Sequence, residues 1–286
     1  MTGPQWAIAA VALLAAAING GLGYGFSSVT IPAALLVYGA RLLNPALVVL
    51  ELVINALALI VNRKSLRAVW PRMPALLIGI APGVAVGGFL LARIDPGMLK
   101  LITFAVLLPL LLLQSAGMRK PIRNEKAVAV PGGFALGVLY GVTTVSGPPL
   151  ALFFNNQGLS KTEFRAALSI FRLAESACTV VVYLALGVFT LPSLMLAGRF
   201  APSVLIGLPL GYFALRRVAP EPFRRACMTI DALLVGFGLA RTLIERHLLS
   251  QPFAYAGLAV VACVEVAIVL NFLLSRRGAV LAQARL

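Results

Sequence analysis

The sequence predicts an all-α polytopic integral membrane protein: two inverted-topology repeats with discontinuous or re-entrant helices, plus a C-terminal helix. Three observations carry that prediction. The 286 residues are 60% hydrophobic and 12% charged, with a mean hydropathy of +0.98, whereas a soluble chain is about a quarter charged. A nonapeptide occurs twice, at Tyr24–Pro32 and Tyr140–Pro148, with Tyr, Gly, Val and Pro in register and Ser or Thr opposite Ser or Thr. Finally, the basic residues gather in short connections and not along one surface stripe, the distribution that orients membrane segments.

Taken in order, Trp6–Ile18 is the first apolar stretch. It has no Lys or Arg before it and runs through Asn19–Gly23 into the first motif copy, so it reads as a retained helix and not as a signal peptide. Segments near 45–62, 75–91 and 98–116 follow as single crossings of roughly the length a bilayer needs. Arg119–Lys126 is a basic linker. The second half repeats the plan around Thr143, Thr144 and Ser146. Pro74–Gly79 answers Pro202–Gly207 and Phe89–Pro96 answers Phe213–Pro220, so the offset between copies runs 116, 128, then 124. The expected division is residues 1–118 as the first repeat, 119–126 as a cytoplasmic linker and 127–246 as the second, inverted repeat. Residues 247–286 form the last transmembrane helix and a short tail.

Placing Arg63–Arg72 inside also puts inside every other basic residue except Arg41, Arg93, Lys100, Arg199, Arg241, Arg246 and the intramembrane Arg172. Corresponding loops then fall on opposite sides, with the N-terminus periplasmic and the C-terminus cytoplasmic. Parity leaves open whether 6–22 with 27–40, and 127–142 with 147–156, are full spans or half-helix hairpins. Short Gly/Pro-interrupted segments at matching places mark the site of many secondary carriers.

The motif copies are the candidate substrate site: Tyr24, Gly25, Ser27, Ser28 and Thr30 from the first, Tyr140, Gly141, Thr143, Thr144 and Ser146 from the second. Glycine permits a break and a close helix approach, a hydroxyl caps the helix that restarts, and free amides at a helix start attract an anion. Plain helix packing is the alternative use of such small residues. Few ionisable residues lie in apolar segments, and such groups usually face the protein interior. Glu51 has Asn55 four residues on, along one helix face. Arg172 and Glu175 are three apart, so they either neutralise each other or serve separately, Arg172 and Asn55 toward the anion and Glu51, Glu175 and Asp231 as proton-coupling candidates. Asn155, Asn156 and Gln157 add donors or cap a helix end. Glu265, outside the duplication, serves a helix contact.

Other chemistries have weak support. The net charge of +15 sits in loops, so no nucleic-acid partner is expected. Cys178, Cys227 and Cys263 lack CxxC spacing and read as buried small hydrophobes. With the single His247 there is no histidine metal cluster, no triad base and no Walker lysine beside Gly20–Gly25. Neither enzyme activity, metal nor cofactor is expected.

The glycine-rich Gly20–Gly25 with Pro32, Leu136–Gly141 with Gly147, Pro148 and Pro149, and the following helices at Asn44–Ala46 and Lys161–Ala167, resemble the TauE/SafE family of membrane permeases. That resemblance covers nearly the whole chain. It implies a bacterial inner-membrane secondary carrier of sulfite, sulfonates, sulfoacetate, taurine-related compounds or other small organic anions. Consecutive glycines common in that family are interrupted here by Tyr24, Phe26 and Thr143–Ser146. The expected function is therefore alternating-access transport of a small anion, coupled to protons, in contact with membrane lipids and compatible with a homodimer. A passive anion channel and a non-transporting scaffold are the alternatives.

Overall fold

The computed structural model describes residues 3–117, 125–155, 159–214 and 220–283. Arg119, Lys120, Arg123, Asn156, Gln157, Arg216, Arg217 and Arg285 lie outside the described residues. The first half comprises α1 (Gly3–Leu22), α2 (Phe26–Ala34), α3 (Ala40–Val61), the one-turn α4 (Leu66–Val69) between two 3-10 turns, α5 (Met73–Arg93) and α6 (Pro96–Ser115). The second comprises α7 (Glu125–Thr143), α8 (Gly147–Asn155), α9 (Lys161–Ala185), α10 (Leu191–Ala214) and α11 (Pro220–Glu245), followed by α12 (Gln251–Gln283). Among the described residues, seven helices are long and apolar enough to cross a membrane. The chain is a multi-pass membrane protein.

What joins the halves is backbone contact. Gly79, Gly83 and Gly87 of α5 face Gly133, Gly137 and Gly141 of α7, and a Cβ at any of them would strike the other helix's main chain. Gly207 and Gly211 of α10 meet Leu13, Ala16 and Ala17 of α1, and Gly20 of α1 meets Leu208 and Tyr212 of α10 in the same way. In lipid, where apolar surface gives no driving force between helices, such close approach supplies the packing. The residue numbers that meet rise together along each pair, so α5 runs parallel to α7 and α1 parallel to α10. Gly20, Gly137 and Gly141, from the glycine-rich motif segments, therefore lie inside intact helices and serve close approach, not a break.

These contacts fix which residues correspond. Gly83 and Gly207 meet equivalent atoms, the carbonyl of Phe134 or Leu13 and the amide of Val138 or Ala17, an offset of 124. In the first three helices the offset is 121. Gly23 and Thr144, with φ of 88° and 55°, mark the two breaks, and Gly39 and Ser160 precede α3 and α9. Asn44 donates to the carbonyl of Val142 at 2.7 Å, and its counterpart Arg165 donates to the carbonyl of Gly21, the counterpart of Val142. The two bonds thus repeat each other at an offset of 121. The nonapeptide register is thus displaced by five residues, and the Pro74–Pro202 register by one helical turn. Tyr24 corresponds structurally to Val145, not to Tyr140.

The remaining helices frame this core. Arg246, Phe104 and Arg225 contacts pair Gly97 with Arg246, Phe104 with Gly238 and Gly117 with Arg225, so α6 and α11 run antiparallel. Asp95 caps α6, accepting from the amides of Gly97 and Met98 at 3.0 Å each and from Arg246 at 2.8 Å. The Met98 amide, helped by Arg246, holds its carboxyl below the usual range. Arg41 donates to the carbonyls of Leu91, Ala92 and Ile94 at the end of α5, where cations are favoured. α12 packs on α11 and α6. Its Glu265 accepts from Ser115 at 2.7 Å and Thr229 at 2.8 Å, a helix contact as the sequence indicated. Cys263, in contrast, is exposed on α12, because this helix packs at the periphery on α11 and α6.

Ser160 and Glu163 form a capping box at the start of α9. Ser160→Ala is expected to cost about 1 kcal/mol, read as a small fall in melting temperature of the detergent-purified protein, with transport retained.

Candidate functional site

α1, α3, α7 and α9 meet in a buried polar centre. Arg172 of α9 is fully buried. Its Nη2 donates to Glu51 Oε1 of α3 at 2.6 Å, and its Nη1 donates to Asn19 Oδ1 of α1 at 3.1 Å. Tyr140 of α7 donates its hydroxyl to the other Glu51 oxygen at 2.6 Å and lies 3.0 Å from Ser176 Oγ. Asn55 donates to Ser176 Oγ at 2.9 Å and to the Arg172 carbonyl at 3.3 Å.

The centre is built from equivalent positions. At the offset of 121, Asn19 corresponds to Tyr140, Glu51 to Arg172 and Asn55 to Ser176. The ion pair joins one position to its own counterpart, and so does the Asn55–Ser176 bond. The local Arg172–Glu175 pair suggested by the three-residue spacing does not form. Glu175 instead accepts from Ser146 Oγ, the residue preceding α8, and its Oε1 has no hydrogen-bond partner. Taking two charges out of water is expensive unless both are fully engaged, and Glu51 is: Arg172 and Tyr140 take one oxygen each. Arg172 keeps Nε without a partner.

The two helix breaks adjoin this centre. A Cβ on Gly147 would lie 3.4 Å from Tyr24 and 3.8 Å from the Gly25 amide, so the starts of α2 and α8 are neighbours. They are not alike. α2 opens with Phe26, Ser27 and Ser28, whose amides have no partner within the helix. α8 opens with Gly147, Pro148 and Pro149, and proline carries no N–H. The anion-attracting amides therefore belong mainly to α2. Ser28 Oγ donates to the Gly25 carbonyl at 3.2 Å, while Thr30 Oγ1 is buried without a partner. Thr143 turns back onto the Leu139 carbonyl at 2.7 Å, and Thr144 holds a left-handed backbone that a β-branched residue rarely adopts.

Every substrate-site residue expected from sequence is buried, yet they divide. Tyr140, Asn55, Arg172, Glu51 and, one helical turn away, Glu175 share the centre. Tyr24, Gly25, Ser27, Ser28 and Thr30 surround the α2 start, with Tyr24 accepting from Gln114 at 3.1 Å. Gly141 serves helix packing, its carbonyl accepting from Tyr183 at 2.7 Å. Asp231, on α11 beside Ser28, is fully buried with neither oxygen bonded. Sequence reasoning missed Asn19, Asn44, Gln114 and Ser176. A comparison at offset 121 would have found Asn19 and Ser176.

Residues 8–238 match the family profile described as sulfite exporter TauE/SafE. The chain belongs to the TauE/SafE family. No curated protein and no solved structure gives a significant match. The TauE/SafE match takes in both breaks and the whole Arg172 centre and ends before α12. At the level of the family, membership points to small-anion transport across a membrane. Among the described residues, no three His, Cys, Asp or Glu side chains stand close enough together to hold a metal ion.

Proposed function

We propose that this protein is a secondary transporter that carries a small anion of the sulfite, sulfonate or sulfoacetate type across the bacterial inner membrane by alternating access, coupled to protons. The observation that carries this reading is Arg172: a guanidinium fully buried where the two halves meet, bonded to Glu51 of α3 and Asn19 of α1. An intramembrane cation facing the protein interior is a functional-site candidate by default, and its planar donors suit sulfonate or sulfite oxygens.

Alternating access is supported by the relation of the halves. Equivalent helices α6 and α11 run antiparallel, as inverted repeats require, and the inverted topology keeps the Arg63–Arg72 segment and Arg225 on one side. A rocking of one half against the other then exposes the same centre to each face in turn. In that topology the N-terminus is periplasmic and the C-terminus cytoplasmic.

Proteoliposome uptake tests the proposal, with sulfite, sulfoacetate, taurine and acetate compared. A carrier gives saturable uptake, counterflow and acceleration by an inward proton gradient. Ser27→Ala and Ser28→Ala each raise the KM, because they disturb the α2 start. Linear, non-saturating flux would identify a channel, and no flux of any of these anions would reject the reading.

A further inference from the structure

Among the described residues, Arg172 is the one fully buried Lys or Arg, and Glu51 already occupies it. Nη2 is bound to the carboxylate and Nη1 to Asn19, leaving Nε open. An anion reaching this guanidinium while Glu51 stays ionised would place two negative charges on one positive charge in a low-dielectric interior, where like charges are costly. We infer that the transported anion takes the place of Glu51 on Arg172, and that Glu51 binds a proton as it leaves, so that one proton travels with each anion. The inference rests on the transport reading and assigns its coupling residue.

The balance is simple. Before exchange, Arg172 is neutralised by the Glu51 carboxylate. Afterwards it is neutralised by the anion, and Glu51 is an uncharged carboxylic acid whose proton came from the open side. With a monovalent anion no charge is left buried alone in either state; a dianion leaves one negative charge uncompensated at the centre. For a monovalent anion the cycle is electroneutral, and for a dianion it moves one net negative charge.

The surroundings suit the protonated acid. Tyr140 donates to Glu51 Oε2 at 2.6 Å and touches Ser176 at 3.0 Å, where either hydroxyl can be the donor. When Glu51 becomes an O–H donor, Tyr140 can accept from it and turn its own proton toward Ser176, so the acid keeps a partner. The charged and titratable groups facing Glu51 are Arg172 and Glu175 on α9 and Tyr140 on α7. The described residues of α1 and α2 carry no titratable side chain. On the other helices packed against α3, the charged residues sit at the ends of α5 and α6, Arg199 of α10 is exposed, and Tyr212 of α10 lies against Gly20 of α1. Glu175 and Asp231 do not fill this role, because neither bonds to the guanidinium and protonating them does not free it.

The test uses the full chain purified in detergent, with sulfoacetate and methanesulfonate as probes, the latter because it does not titrate near neutral pH. In the wild type, binding weakens as pH rises, by up to about tenfold per pH unit, as linkage to one proton requires. Calorimetry in two buffers of different ionisation enthalpy gives one proton taken up per anion. Glu51→Gln, neutral at every pH, binds with no pH slope and takes up no proton, while losing proton-driven uptake and keeping anion exchange. A retained slope or proton uptake in a folded Glu51→Gln overturns the inference. Should that variant fail to fold, the wild-type proton count decides alone: anion binding without proton uptake rejects it. Absence of any binding or flux in the wild type rejects the transport reading instead.

Discussion

Arg172→Gln abolishes anion uptake and is the most destabilising single change at the centre. It strands Glu51 in the interior without its counter-charge, and breaking a buried pair from one side costs about 3–5 kcal/mol. The double variant Glu51→Gln with Arg172→Gln recovers part of the stability, by a coupling of about 0.5–3 kcal/mol, since no charge is left unpaired. Uptake stays absent, because the anion has lost its cation. Thermal unfolding of the four proteins together with proteoliposome uptake checks both halves of the result. Recovery of uptake in the double variant would contradict the role given to Arg172.

The second large effect lies in the glycine contacts. Gly87→Ala places a methyl against the Val138 carbonyl and within 3.0 Å of Gly141 main-chain atoms, and Gly211→Ala places one against Ala17. Neither neighbour is a flexible side chain that can turn away, so the helices must separate. Overpacking of this kind costs about 1–3 kcal/mol and occasionally more, and here it also disturbs the geometry of the joined halves. Both variants are expected to lose monodisperse, folded protein on size exclusion. Gly198→Ala, with nothing within 4 Å, is the control and remains folded.

Apolar patterning was enough to read most of the helices, since a span must be continuous and apolar whatever packs on it. It was equally enough to read the buried acids and Arg172, because an ionised side chain in such a segment has few places to be. The 121-residue register that the contacts follow was not legible. The two nonapeptides share small and hydroxyl-bearing residues, which suit any helix end, so their likeness survives a five-residue displacement. What distinguishes the true register is dissimilar in sequence: Glu51 against Arg172, Asn19 against Tyr140, Asn44 against Arg165. These are complementary pairs, and a search for likeness passes over them. The Arg172–Glu175 spacing misled for a related reason, since a partner three residues away on one helix is visible in sequence and a partner on another helix is not.

The ion pair between counterpart positions also bears on how such a protein could arise. Two identical copies arranged about the same two-fold would set glutamate against glutamate, or arginine against arginine, at the centre. A homodimeric ancestor of this architecture could not have contained the bridge. Once both copies are encoded in one polypeptide, each can mutate by itself, and opposite charges become available at a single shared place. Carrying both positions in one polypeptide therefore does more than fix a stoichiometry: it permits the asymmetry on which a charged centre depends.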